Sequence, residues 1–89
     1  MKIKKGFVLR DVCGEHVIAG EGLDAINFGR LLCLNETAAW LWKEALDMGD
    51  FTIEMLADRL CEEYEVTVEV AQKDVADIVN EWLQVGVIE

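Results

Sequence analysis

Side chains able to do chemistry are few and scattered in this chain of 89 residues. Its one histidine, His16, falls in a β-prone run, His16-Val17-Ile18-Ala19, with no nucleophile motif of serine, cysteine or aspartate beside it. A general base needs a proton donor within reach and a third group to orient it, so His16 reads as a satisfied or exposed strand histidine and no catalytic histidine is assigned. Cys13, Cys33 and Cys61 are odd in number, widely spaced and without a CxxC pair, which supports neither a disulfide framework nor a zinc site. Cys33 and Cys61 lie in apolar patterns and are expected as buried thiols acting as small hydrophobes. Asp74, Asp77 and Glu81, spaced three and four apart, share one side of a helix. No loop elsewhere supplies further cation ligands, so they read as a solvated acidic flank whose functional use would be to read a basic peptide. Gly6, Gly14, Gly20, Gly22 and Gly29 form neither GxGxxG nor a P-loop and serve turns, so no nucleotide site follows. No metal and no cofactor are expected.

The elements that carry these residues can be read from pattern. The length suits one domain over residues 1–89, with a single modest core. With 53% hydrophobic residues and no proline, disorder is not expected. The longest apolar runs, such as Leu31 to Leu34, are far too short to span a bilayer. Lys2, Lys4 and Lys5 open the chain, but Arg10 and Asp11 break the apolar stretch that follows, so no signal peptide is read and the protein is expected in the cytoplasm. The net charge of −10 is uneven, for residues 50–89 hold eleven acidic groups against two basic ones. That half repels nucleic acid and attracts a basic partner.

Phe7-Val8-Leu9 and His16 to Ala19 form a hairpin about Cys13-Gly14. Gly20-Glu21-Gly22 ends the second strand, and a loop through Asp24 leads to a third from about Gly29 to Leu34. A three-stranded sheet needs one face covered, so the helices that follow must pack on it. The first runs from Asn35 to about Met48 and is closed by Gly49. The second starts after Thr52, with Leu56, Ala57, Leu60, Cys61 and Tyr64 on one stripe. Thr67 caps the third, whose inner face is Ala71, Val75, Ile78, Val79 and Trp82. About two residues separate the second and third helices. Trp42 and Trp82 fall on apolar stripes and belong to the core, whereas Trp40 lies off its stripe and is a candidate for an exposed contact. The order is βββααα, an α+β, winged-helix-like fold: a three-stranded antiparallel N-terminal sheet followed by three helices.

In the stretch Leu31-Leu32-Cys33-Leu34-Asn35-Glu36-Thr37-Ala38-Ala39-Trp40-Leu41-Trp42, an apolar strand runs straight into a helix capped by Asn35, with Glu36 in its positive first turn. A strand that enters a helix without a loop sits near a sheet boundary, where unpaired main-chain groups can meet another peptide. This junction, with Ile26-Asn27-Phe28 before it, resembles the PqqD family of small winged-helix proteins, also called RiPP recognition elements, which bind the leader segment of a peptide undergoing modification. The resemblance spans nearly the whole chain. It implies a precursor leader peptide bound as an added antiparallel strand along Arg30, Leu31, Leu32, Cys33 and Leu34, in a cleft walled by the third helix near Val70, Lys73, Asp74, Asp77 and Glu81. It also implies a peptide-modifying enzyme as partner, often a radical SAM maturase, and no catalysis by the module itself. Whether the product is pyrroloquinoline quinone or another modified peptide is left open.

On a helical wheel Val70, Asp74, Asp77 and Glu81 border the third helix's core stripe on one side, and Gln72, Ala76 and Leu83 on the other. If the first border faces the open strand, the bound peptide should carry Lys or Arg; if the second, apolar side chains. Three rival classes stand beside this reading. A winged-helix DNA-binding regulator would need an anionic recognition helix, with Lys73 against Glu69, Asp74, Asp77 and Glu81, in an anionic groove. A small enzyme lacks the parts. A structural homodimer could pair two open strands with each other.

Overall fold

The computed structural model describes residues 1–20 and 32–89. The expected loop through Asp24, the Ile26-Asn27-Phe28 segment and the start of the third strand, Gly29, Arg30 and Leu31, lie outside the described residues. Strands β1 (Phe7–Val12), β2 (Glu15–Gly20) and β3 (Leu32–Leu34) form an antiparallel sheet in the order β1-β2-β3, followed by helices α1 (Glu36–Met48), α2 (Ile53–Glu63) and α3 (Val68–Val85). The α+β, winged-helix-like layout is the expected one. The hairpin runs further than its apolar stretches suggest, because the register from Phe7↔Gly20 to Val12↔Glu15 brings the polar residues Arg10, Asp11 and Glu15 into the ladder. Cys13 and Gly14 both have positive φ, 52° and 81°, as the two-residue turn that matches strand twist demands.

Alternation decides what each strand buries. Leu32 and Leu34 point into the core and Cys33 points out and is exposed, so the expectation of a buried Cys33 thiol fails. An apolar run of four gave no parity, whereas the sheet imposes one. Cys61 is only partly buried.

All three helices start at the expected caps. Asn35 Oδ1 accepts from Ala38 N–H at 2.8 Å, Thr52 Oγ1 from Met55 N–H at 3.1 Å, and Thr67 Oγ1 from Val70 N–H at 3.2 Å. The connection between α2 and α3 spans Tyr64 to Thr67, longer than the expected two residues. Tyr64 also leaves the α2 stripe: its backbone is extended and its ring packs on Trp40, with centroids 5.6 Å apart and planes at 89°. Trp42 of α1 and Trp82 of α3 are fully buried and meet edge to face at 5.2 Å. Both indole N–H groups are buried without an acceptor among the described residues, so ring contact and burial hold the pair rather than hydrogen bonds.

The chain ends are joined, a feature that no local pattern announced. At the end of α3, Gly86 N–H reaches the Leu83 carbonyl and Val87 N–H the Trp82 carbonyl, a Schellman closure with Gly86 in the left-handed region. The turn aims Val87 and Ile88 back into the core. There Ile3 bridges Ile88, with Lys2 and Glu89 exchanging both backbone hydrogen bonds at 2.9 Å.

Thr67→Ala should lower the unfolding free energy by about 1 kcal/mol, with Thr67→Ser retaining most of it. Urea unfolding should show the midpoint fall with the slope unchanged; an unmoved midpoint would mean that α3 does not depend on this cap.

Candidate functional site

β3 lies at a sheet boundary and pairs with β2 through His16↔Leu34, Val17↔Cys33 and Ile18↔Leu32. Among the described residues, no backbone hydrogen bond reaches its other side. An antiparallel strand turns the N–H and C=O of alternate residues to each side, so this edge presents main-chain donors and acceptors to whatever lies next to it. The position is fixed from within. Leu32 and Leu34 are held in the core, and Asn35 turns the chain at once into α1.

The C-terminal end of β3 is flanked by two depressions. One, of about 330 Å³, is lined by Asn35 and Thr37 at the start of α1 and by Asp74, Asp77 and Ile78 of α3. It is the acidic border of α3 that meets the strand-to-helix junction there, and the other border, Gln72, Ala76 and Leu83, takes no part in that lining. Neither Asp74 nor Asp77 forms an ion pair among the described residues. The second depression, about 510 Å³, is lined by Gly14, Glu15, His16, Cys33, Leu34, Asn35 and Glu36. Sequence reasoning missed Glu15, His16 and Glu36 as its neighbours. The signal was the hairpin register, which sets His16 opposite Leu34 only once the third strand's pairing is known.

The expected site residues thus divide. Leu32, Cys33 and Leu34 form the edge, and Asp74 and Asp77 stand beside its end. Val70, Lys73 and Glu81 are exposed on α3 and do not line that depression. Arg30 and Leu31 lie outside the described residues.

Some other ionisable groups satisfy one another. His16 Nδ1 lies 2.6 Å from Asp11 Oδ1, its cross-strand partner, which makes it a satisfied strand histidine. Arg59 Nη1 bonds Glu44 at 2.6 Å and reaches Asp47 at 3.4 Å. The Glu44 bond raises the Arg59 pKa, against a smaller opposing effect of desolvation. Among the described residues no three His, Cys, Asp or Glu side chains converge as metal ligands, and no helix is long and apolar enough to cross a membrane. What the arrangement offers is recognition: backbone hydrogen bonds along β3 and unpaired carboxylates at its end.

Comparison with known proteins gives the same frame. Residues 15–88 match the family described as Coenzyme PQQ synthesis protein D (PqqD). No curated protein matches significantly. Among solved structures, TbiB1 in complex with the TbiA(beta) leader peptide superposes with a TM-score of 0.79 at 20% identity, over 100% of this chain and 95% of that one. A lasso peptide synthetase B1 complexed with the leader peptide superposes with a TM-score of 0.76 at 23% identity, over 99% of this chain and 95% of that one. At these identities the likeness is one of fold.

A thiol-reactive chromophore should label Cys13 and Cys33 rapidly in the native protein and Cys61 more slowly, since burial limits access. Equal rates for Cys33 and Cys61 would contradict the outward orientation of Cys33.

Proposed function

As this chain belongs to the PqqD family, we propose that it acts, as one unit over residues 1–89, to capture the leader segment of a ribosomally made precursor peptide. The leader adds as an antiparallel strand along Arg30 to Leu34. The observation that carries this reading is the one-sided pairing of β3, an edge open among the described residues, beside the acidic border of α3. Two proteins that share its fold were each solved with a leader peptide bound, which supports the same use here.

Main-chain bonds along such an edge give affinity largely independent of sequence, and side chains at alternate positions select the partner. Here selection comes from Val70, Lys73, Asp74, Asp77 and Glu81. With Asp74 and Asp77 beside the end of β3, the leader carries Lys or Arg near the point where it meets α1. The module performs no chemistry. It raises the effective concentration of its peptide beside a modifying enzyme, a radical SAM maturase or another peptide-modifying enzyme, in the cytoplasm. The product is pyrroloquinoline quinone or another modified peptide. Binding to DNA is disfavoured by the charge, which is −10 overall and most negative in the helical half.

The probe is a synthetic leader from a short reading frame next to this gene. Its addition should slow hydrogen exchange at the Cys33 amide, which the hairpin register turns to the open side, and Cys33→Pro should abolish binding while circular dichroism shows the fold retained. Protection confined to other segments would overturn strand addition. Concentration-dependent protection without peptide, matched by dimer in sedimentation, would instead indicate self-pairing of two edges. Asp77→Lys should weaken a Lys- or Arg-bearing leader severalfold, on the order of 0.5–1 kcal/mol for an exposed pair, and spare an apolar one. No change with either would remove the acidic border from the site.

A further inference from the structure

The corner where α2 gives way to α3 has no part in the strand-addition reading, yet it combines two features that seldom share a solvated surface. The first is apolar. Tyr64 and Val68 are 40% and 54% exposed, and half-buried Trp40 of α1 braces the Tyr64 ring edge to face. An aromatic ring held at an angle by a second ring is pre-ordered, so contact with a partner costs little side-chain entropy. The second is electrostatic. Glu62, Glu63, Glu65 and Glu69 surround these residues along the chain, all exposed, and none forms an ion pair among the described residues. The nearby cation of α2, Arg59, is occupied by Glu44 and Asp47. Lys73, one turn along α3 from Glu69, makes no ion pair with it.

We propose that this corner is a second docking surface, for a protein partner that presents an apolar contact ringed by Lys or Arg. Charge complementarity selects that occupant. Covering Tyr64 and Val68 with a neutral or acidic surface would strip water from four carboxylates without replacing it, whereas a basic ring returns a counter-charge to each. Nucleic acid and anionic membranes are repelled by the same groups. A second copy of the chain is a poor match, since each copy carries a net charge of −10 and the same acidic corner. The surface belongs to the α2–α3 connection and α1, not to the edge of β3, so peptide capture and partner docking need not compete. The inference rests on its own geometry and holds whether or not the peptide reading does.

The test uses the whole protein, isotopically labelled, titrated with a synthetic amphipathic helix that has leucines on one face flanked by lysines. Amide shifts should concentrate at residues 62–69 and at the Trp40 indole, leaving the β3 amides in place. Tyr64→Ala, and the double reversal Glu63→Lys with Glu65→Lys, should each weaken the complex about tenfold. Tyr64→Phe should bind as the parent does, and these side chains are exposed, so the fold is not at stake. A helix with glutamate in place of lysine should not bind. Shifts at Asp74 and Asp77 equal to those at the corner would reveal unspecific attraction to acidic surface and overturn the proposal, as would no binding in the submillimolar range. Self-association that Tyr64→Ala abolishes would assign the corner to a second copy and also overturn it.

Discussion

The seating of Leu32 and Leu34 in the core is the constraint on which the site depends. A strand of three described residues has too few ladder bonds to hold itself against the sheet. Two buried leucines with an outward cysteine between them fix its parity, and a slip by one residue would bring Cys33 into the core and expose both leucines. The open edge is therefore a consequence of packing. The backbone groups on the free side of β3 stay in register because the side chains above them cannot move. Recognition through the main chain needs such anchoring, since an edge free to slide would offer no fixed spacing of donors and acceptors.

Electrostatics divides the surface that surrounds this edge. Of the described basic residues of the N-terminal region, Lys2, Lys4 and Lys5 cluster where the chain ends meet, with Glu89 beside them. The helical half carries carboxylates on α3 beside the end of β3 and at the α2–α3 corner, among others. Because these groups are exposed, each contributes little alone, and salt screens them beyond about 8–10 Å. On the proposed reading their effect is one of selection: a peptide with basic side chains would be drawn to the end of β3, and an acidic one turned away.

Local signals carried most of the fold. Asn35, Thr52 and Thr67 announced helix starts because a cap is a bond between near neighbours, and Trp42 and Trp82 announced themselves by helical periodicity. The failures were non-local. In the run Leu31 to Leu34 every residue is apolar, so nothing in the chain says which side chains face inward; the Val17↔Cys33 register decides it. Tyr64 fits the α2 stripe by spacing, but the helix ends one residue earlier and Trp40 takes its ring. The bridge between Ile3 and Ile88 joins opposite ends of the chain and has no sequence signature at all. For the site, the acidic residues of α3 were legible as a border from the wheel. That Asp74 and Asp77 stand beside Asn35 and Thr37 required the packing of α3 against the start of α1.

That packing traces back to the tryptophan pair. Trp42 lies on α1, which continues from β3 through Asn35 without a loop, and Trp82 lies on α3. Their edge-to-face contact at 5.2 Å therefore couples, through α1, the position of β3 to that of the helix beside its C-terminal end. Neither ring is at the surface, and neither indole N–H has an acceptor among the described residues. Aromatic packing thus sets the spacing of the site with no polar network to adjust it, and in a close-packed core such a spacing shifts only when several side chains repack together. The residues proposed to meet a bound peptide stand at the surface, while the distance they act across is held by two buried residues.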